Sequence, residues 1–202
     1  MVRMSPAERR EAIVVATLEV MQRQGIAATT VRDVAAVLGV SSGLIHHYYD
    51  SMDELVAVAF ERAARADLEE TVTAVAAGGD PLAQLRLFFD TYARSDTDSG
   101  MQLWLDAWAE AARRPALRRT SRRLNEEWQA LLADVIAAGS GAGLLACADP
   151  GAAAWRVLSL LDGLALQLVA HGDVLTVAQA DDWSRGAAER ELGLAQGTLS
   201  PA

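Results

Sequence analysis

The chain has 202 residues, a 51% hydrophobic composition and a net charge of −9. That is enough apolar material for a sizeable core, in one domain or two small ones, and the acidity of the whole argues against nucleic acid as a partner. The single cysteine, Cys147, excludes an internal disulfide framework and fits a reducing compartment.

The charge is unevenly spread. Residues 1–50 set five arginines (3, 9, 10, 23, 32) against five acids (8, 11, 19, 33, 50), so the remainder carries the whole excess. A neutral head and an acidic body predict two jobs. The N-terminus is periodic and mixed with charge, unlike a signal peptide. No stretch reaches the ~20 apolar residues of a membrane span. The longest candidate, VLSLLDGLALQLVA at 157–170, carries Asp162. The expectation is a soluble cytoplasmic protein with no membrane association.

Nearly every segment reads as helix, and no sustained alternation suggests strands. Ser5-Pro6 with Glu8 three residues on predicts a capped helix to about Gln24, stopped by Gly25, with Ile13, Ala16, Leu18, Val20 and Met21 as its apolar stripe. Thr30 caps a short helix, Val31–Leu38, which Gly39 ends. Ser41 or Ser42 opens a second, to Tyr48 or Tyr49. Ser51 and Glu54 form a capping box for a long helix from about Met52 to Ala76, and GGDP at 78–81 breaks the chain.

Helices are then predicted over 81–94, 101–114, 115–138, 149–170 and 176–192. SDTDSG at 95–100 reads as a polar loop, GSGAG at 139–143 as flexible, and the tail AQGTLSPA as mobile.

Residues 26–55, IAATTVRDVAAVLGVSSGLIHHYYDSMDEL, have the pattern of a helix-turn-helix. Val34, Ala35 and Leu38 face inward, Gly39 takes the tight turn and Val40 fills the gap. Leu44 or Ile45 and Tyr49 face the core, and the second helix can enter a major groove. The run His46, His47, Tyr48, Tyr49 is poorly suited to metal, because adjacent helical residues lie about 100° apart. Helical zinc pairs need i,i+4 spacing, which is missing. Ring N–H and phenol O–H groups there suit phosphate oxygens, although an ordinary surface face is also compatible with them.

This stretch resembles the DNA-binding head of the TetR family of one-component regulators. The central LWLDAWAEAARRPALRR…NEEW and LLDGLALQL resemble the choline-responsive, BetI-like branch of that family. The resemblance implies an all-α bacterial regulator. Residues 1–51 would form a three-helix helix-turn-helix domain and 52–202 a helical effector-binding and dimerisation domain. It implies double-stranded operator DNA as a partner and a homodimer through the helices near 150–170 and 176–192.

Carried over by position, Thr30 bonds a phosphate and Arg32 reaches a base edge or phosphate. Ser41, Ser42, Gly43 and Leu44 lie at the DNA end of the recognition helix, and His46, His47 and Tyr48 contact phosphates or bases. One departure is Met52, where the family usually has lysine. That removes one charge contact and predicts a shallower salt dependence.

In the body, Trp104 and Trp108 share a helix face with Met101 and Ala111, and Trp155, Ser159, Asp162 and Leu166 share another. A carboxylate on an apolar face is costly unless paired. Trp104, Trp108, Trp155 and Asp162 are therefore candidates for binding a cationic or amphipathic effector through charge and cation–π attraction. The alternatives are tryptophans that are simply core, and an Asp162 that pairs with Arg122, Arg123 or Arg156 or accepts a hydrogen bond at the dimer interface.

The reading favoured is a ligand-responsive repressor released from a palindromic operator by a small molecule. A helical binding protein whose head has lost specific DNA binding stands as the alternative. No catalytic pairing, phosphate loop or metal spacing points to an enzyme, and no cofactor or metal is called for.

Overall fold

The computed structural model of the chain describes residues 4–94, 99–172 and 174–201. The described residues form helices α1 (Pro6–Gln24), α2 (Val31–Leu38), α3 (Ser42–Tyr48), α4 (Met52–Ala76), α5 (Pro81–Arg94), α6 (Ser99–Ala111), α7 (Pro115–Gly141), α8 (Pro150–His171) and α9 (Val177–Glu191), with no strand among them. The chain divides into two compact units: Met1–Arg65 with Gln102–Leu124, and Ala66–Met101 with Asn125–Ala202.

In the first unit, local chemistry sets the helix ends. The Ser5 amide donates to the Glu8 carboxylate and the Glu8 amide to Ser5 Oγ, which satisfies two amides at the start of α1. Thr30 and Asp33 repeat the arrangement at α2. At α4 the Glu54 amide donates to Ser51 Oγ at 3.1 Å. Ile13, Val20, Ile26, Val34, Ile45, Leu55, Phe60, Leu117 and Leu124 build the core of this unit and are almost fully buried.

The turn after α1 is held from α6. Asp106 accepts the Ile26 amide at 3.3 Å through one oxygen and the Gln102 side chain at 2.9 Å through the other. Gly25 makes that approach possible. Its φ of +83° suits glycine, and an added Cβ would stand 3.1 Å from the same carboxylate.

The second unit corrects three expectations. The segment 139–143 is not a flexible break, because α7 continues to Gly141. Gly139 is needed for packing: a Cβ there would lie 2.6 Å from Leu145 Cδ1 and 3.3 Å from Pro81. Helix α8 is 22 residues long and contains an 18-residue window with a mean hydropathy of 1.4. By length and composition alone it reaches the span threshold that the run 157–170 had missed, because the alanine-rich turn after Pro150 extends it.

The C-terminal tail, expected to be mobile, is tied down. Leu199 is fully buried. Buried Arg185 donates to the Leu199 carbonyl at 2.8 Å, to Asp90 at 2.8 Å and to Asp181 at 2.7 Å, and lies over the Phe89 ring. Buried Glu189 accepts the amides of Gly197 and Leu199 at 3.0 and 2.7 Å, and Arg86 donates to the Thr198 carbonyl. Helix α6 differs less: it starts at Ser99 rather than Met101 and stops at Ala111, where Arg113 and Arg114 turn back onto Glu110. Residues 95–98 of the predicted polar loop lie outside the described residues.

Deleting residues 195–202 strips partners from two buried ions, a change that typically costs about 3–5 kcal/mol. Thermal unfolding should show a large fall in Tm for the truncated chain. A Tm within a degree of the parent would refute a structural tail.

Candidate nucleic-acid interface and effector site

The helix-turn-helix is built by a capped start, a left-handed turn and a short second helix. Gly39 sits at φ 64°, ψ 35°, and its amide reaches back to the carbonyls of α2. Ser41 then takes extended geometry as the N-cap of α3, with no side-chain cap hydrogen bond, so its hydroxyl is not used by the helix. Ile45 and Tyr49 are buried and anchor α3 to the core, while Leu44 is half-buried. Burial also raises the pKa of the Tyr49 phenol.

The remaining face of α3 is open. Ser41, Gly43, His46 and His47 are exposed, as are Thr30 and Arg32 on α2, and Ser42 and Tyr48 are half-buried. A Cβ on Gly43 would meet only Ser41 Oγ, at 3.9 Å. The fold of the chain itself therefore does not require glycine there. Thr30 is partly committed, because its hydroxyl donates to the Asp33 carboxylate at 2.5 Å. That bond holds the Asp33 carboxyl below its usual pKa. A surface cleft of about 440 Å³ between α1 and α2 carries Glu8, Glu11 and Glu19. Its acidic lining is unsuited to phosphate.

In the second unit, Asp162 of α8 accepts the Tyr92 hydroxyl of α5 at 2.7 Å. Tyr92 stacks near Phe88 (6.3 Å) and meets Trp128 of α7 edge-on (6.1 Å), and Phe88 also meets Trp128 at 6.1 Å. Burial pushes the Asp162 carboxyl up to about 6, partly offset by the Tyr92 hydrogen bond. The arrangement is a desolvated carboxylate bonded to a tyrosine that itself packs against two further aromatic rings. It favours an organic cation, which supplies charge to the carboxylate and a face contact to the rings.

The N-terminal part of the chain, residues 13–59, matches the family model for bacterial regulatory proteins of the tetR family. Residues 81–193 match the model for the C-terminal domain of BetI-type transcriptional repressors. A curated relative, the HTH-type transcriptional regulator BetI of Paraburkholderia phytofirmans, is 32% identical over 177 residues, which cover 82% of this chain and 84% of that protein. The BetI regulator of Stenotrophomonas maltophilia is 35% identical over 118 residues. There the match spans 56% of this chain and 60% of that protein, less than two thirds of its length. The chain belongs to the TetR family. A protein from Saccharomonospora viridis, solved in complex with choline, shares the fold with a TM-score of 0.82 at 21% identity, over 92% of this chain and 98% of that one.

This TetR-family chain is thus a helix-turn-helix regulator of transcription, and its relatives are regulators rather than enzymes. Its four candidate effector residues do not gather in one unit. Trp104 and Trp108 belong to the first, where Trp104 is buried edge-on against Phe60 at 4.9 Å and lies 5.5 Å from Trp108. Asp162 and Trp155 belong to the second, where Trp155 is 40% exposed. Asp162 is not paired with Arg156, which bonds Glu191 instead, and Arg123 bonds Glu61. Sequence reasoning missed Phe88, Tyr92 and Trp128. The stripe Leu85, Phe88, Phe89, Tyr92 at i, i+3, i+4, i+7 was the available signal for two of them.

The raised pKa gives a signed prediction. The folded state holds the Asp162 proton to about pH 6, whereas the unfolded chain releases it near pH 4. Ionisation therefore erodes stability as pH rises from about 4 to 6, by about 3 kcal/mol at most. Asp162→Asn should gain stability over the parent through that window and match it below. Denaturant midpoints across pH 4–8 check this, and a difference independent of pH would show that ionisation plays no part.

Proposed function

We propose that the regulator is a dimeric cytoplasmic repressor of a palindromic operator, released by a small organic cation such as a quaternary ammonium compound. Residues 1–51 are its DNA-binding domain and 52–202 its effector and dimerisation domain. Thr30, Arg32, Ser41, Ser42, Gly43, Leu44, His46, His47 and Tyr48 form the DNA face. The exposure of this set around the buried anchors Ile45 and Tyr49 supports that assignment.

A dimer is favoured physically, because two recognition helices must meet half-sites about 34 Å apart. Trp155, Leu160 and Leu166 on α8 and Val177 and Trp183 on α9 are each more than a third exposed. Large apolar groups left uncovered in this way suit a partner surface.

The observation that carries the effector reading is the desolvated Asp162 carboxylate bonded to Tyr92, whose ring packs against Phe88 and Trp128. The choline bound by the Saccharomonospora viridis protein and the BetI-type match support it. Trp104, Trp108 and Trp155 were candidates from sequence, but the proposed site is confined to the second unit, so Trp104 and Trp108 are assigned to packing. The effector favours a body conformation whose heads fit the two half-sites poorly, so operator affinity falls by population shift.

Fluorescence anisotropy with DNA from upstream of the chain's own gene, non-specific competitor and a choline titration tests the reading. Saturable, sequence-dependent binding that choline reverses is expected. Arg32→Ala should weaken binding, while Asp162→Asn should bind DNA but respond at least tenfold less to choline. Equal release by a neutral isostere of choline would rule out a cation site. No preference for any fragment would favour a head without operator function.

A further inference from the structure

The head contains a cation that the assigned DNA face does not include. Arg10, exposed on the second turn of α1, places its guanidinium 5.8 Å from the ring centre of Tyr48, the last residue of α3. Tyr48 in turn meets His47 edge-on at 5.2 Å. We propose that Arg10, seated on the Tyr48 ring, is a phosphate-binding group of the head that grips the DNA backbone beside the recognition helix. The proposal rests on α3 being the helix that meets DNA.

Charge pairing leaves Arg10, like Arg9 and Arg32, without a carboxylate partner among the described residues of the head. By contrast, Arg23 pairs with Glu19 at 3.8 Å and Arg62 pairs with Glu11. The carboxylates of Glu8 and Asp33 are spent on capping α1 and α2. The even charge balance of residues 1–50 therefore conceals exposed positive charge at Arg10 and Arg32.

The geometry suits an anion. A guanidinium lying on an aromatic face uses its flat surface there and keeps its N–H edges for a bidentate phosphate contact. Seven helical residues span roughly 10 Å, close to the roughly 12 Å width of the major groove. With α3 in the groove, its terminal Tyr48 comes to the flanking strand, and the Arg10 guanidinium comes with it. Arg10 thereby supplies a charge contact in a head where Met52 supplies none.

The test is a salt series of anisotropy titrations on the full chain and its Arg10→Ala and Arg10→Lys variants, with both the upstream fragment and unrelated duplex. Arg10→Ala should lower the slope of log K against log salt by about 0.9 per engaged head, equally on both DNAs. That is roughly a threefold smaller affinity loss between about 50 and 200 mM salt. Arg10→Lys should restore the slope, which a role in helix packing alone would not produce.

An unchanged slope in Arg10→Ala, with specific binding by the parent intact, overturns the Arg10 assignment and leaves the α3 reading standing. Loss of slope on unrelated duplex, with no operator preference in the parent, supports Arg10 and overturns the specific-operator reading. Failure of the parent to bind any DNA overturns both.

Discussion

One carboxylate ties together the starts of two long helices. Asp53 lies in the first turn of α4 and accepts the Ala116 amide at the start of α7, at 2.9 Å. Amides in a helix's first turn have no partner within the helix and carry the positive end of its dipole, so an anion there is favourable twice over. The other Asp53 oxygen is buried without a hydrogen-bond partner among the described residues. Asp106 and Arg114 act similarly on the turn after α1, through the amide and the carbonyl of Ile26. Within this unit the turn between α1 and α2 is therefore held by α6 and Arg114, and the start of α4 is held to the first turn of α7.

The same unit shows why net charge misleads at short range. In its first fifty residues four of the five acids are consumed locally, two by capping boxes and two by arginines. The surface left near α3 is then set by a few groups, the exposed Asp50 among them. Exposed ion pairs of this kind contribute little to stability. Their larger effect is to remove negative charge from competition with DNA.

Most of the fold was legible from sequence because it is written in caps and stops. Thr30, Gly39 and Ser51 act within one helical turn, and a local rule suffices to find them. The bounds of α2, α3, α4 and α5 follow from such signals. The helix-turn-helix was legible for the same reason. Gly139 misled because a glycine that serves close packing against Leu145 looks the same in sequence as one that serves a break. The tail misled because its order depends on Arg86, Arg185 and Glu189, whose spacing along the chain carries no sign of their convergence. Asp162 was visible as an anomaly on an apolar helix, but its partner Tyr92 lies seventy positions away. Pairing at that distance is a property of the tertiary fold.

The buried strap at the C-terminus also bears on how the chain is made. Arg185 and Glu189 sit in α9, and each needs Leu199 to complete its hydrogen bonds. During synthesis those two charges exist before their partners do, and burying them early is unfavourable. The second unit can close around α9 only after residues 197–199 have left the ribosome. Until then α5 and α9 present unsatisfied ionic groups and uncovered apolar surface to the surrounding cell. The emergence of residues 197–199 thus governs when the second unit matures, and a nascent chain stalled just short of them is exposed to chaperones and proteases.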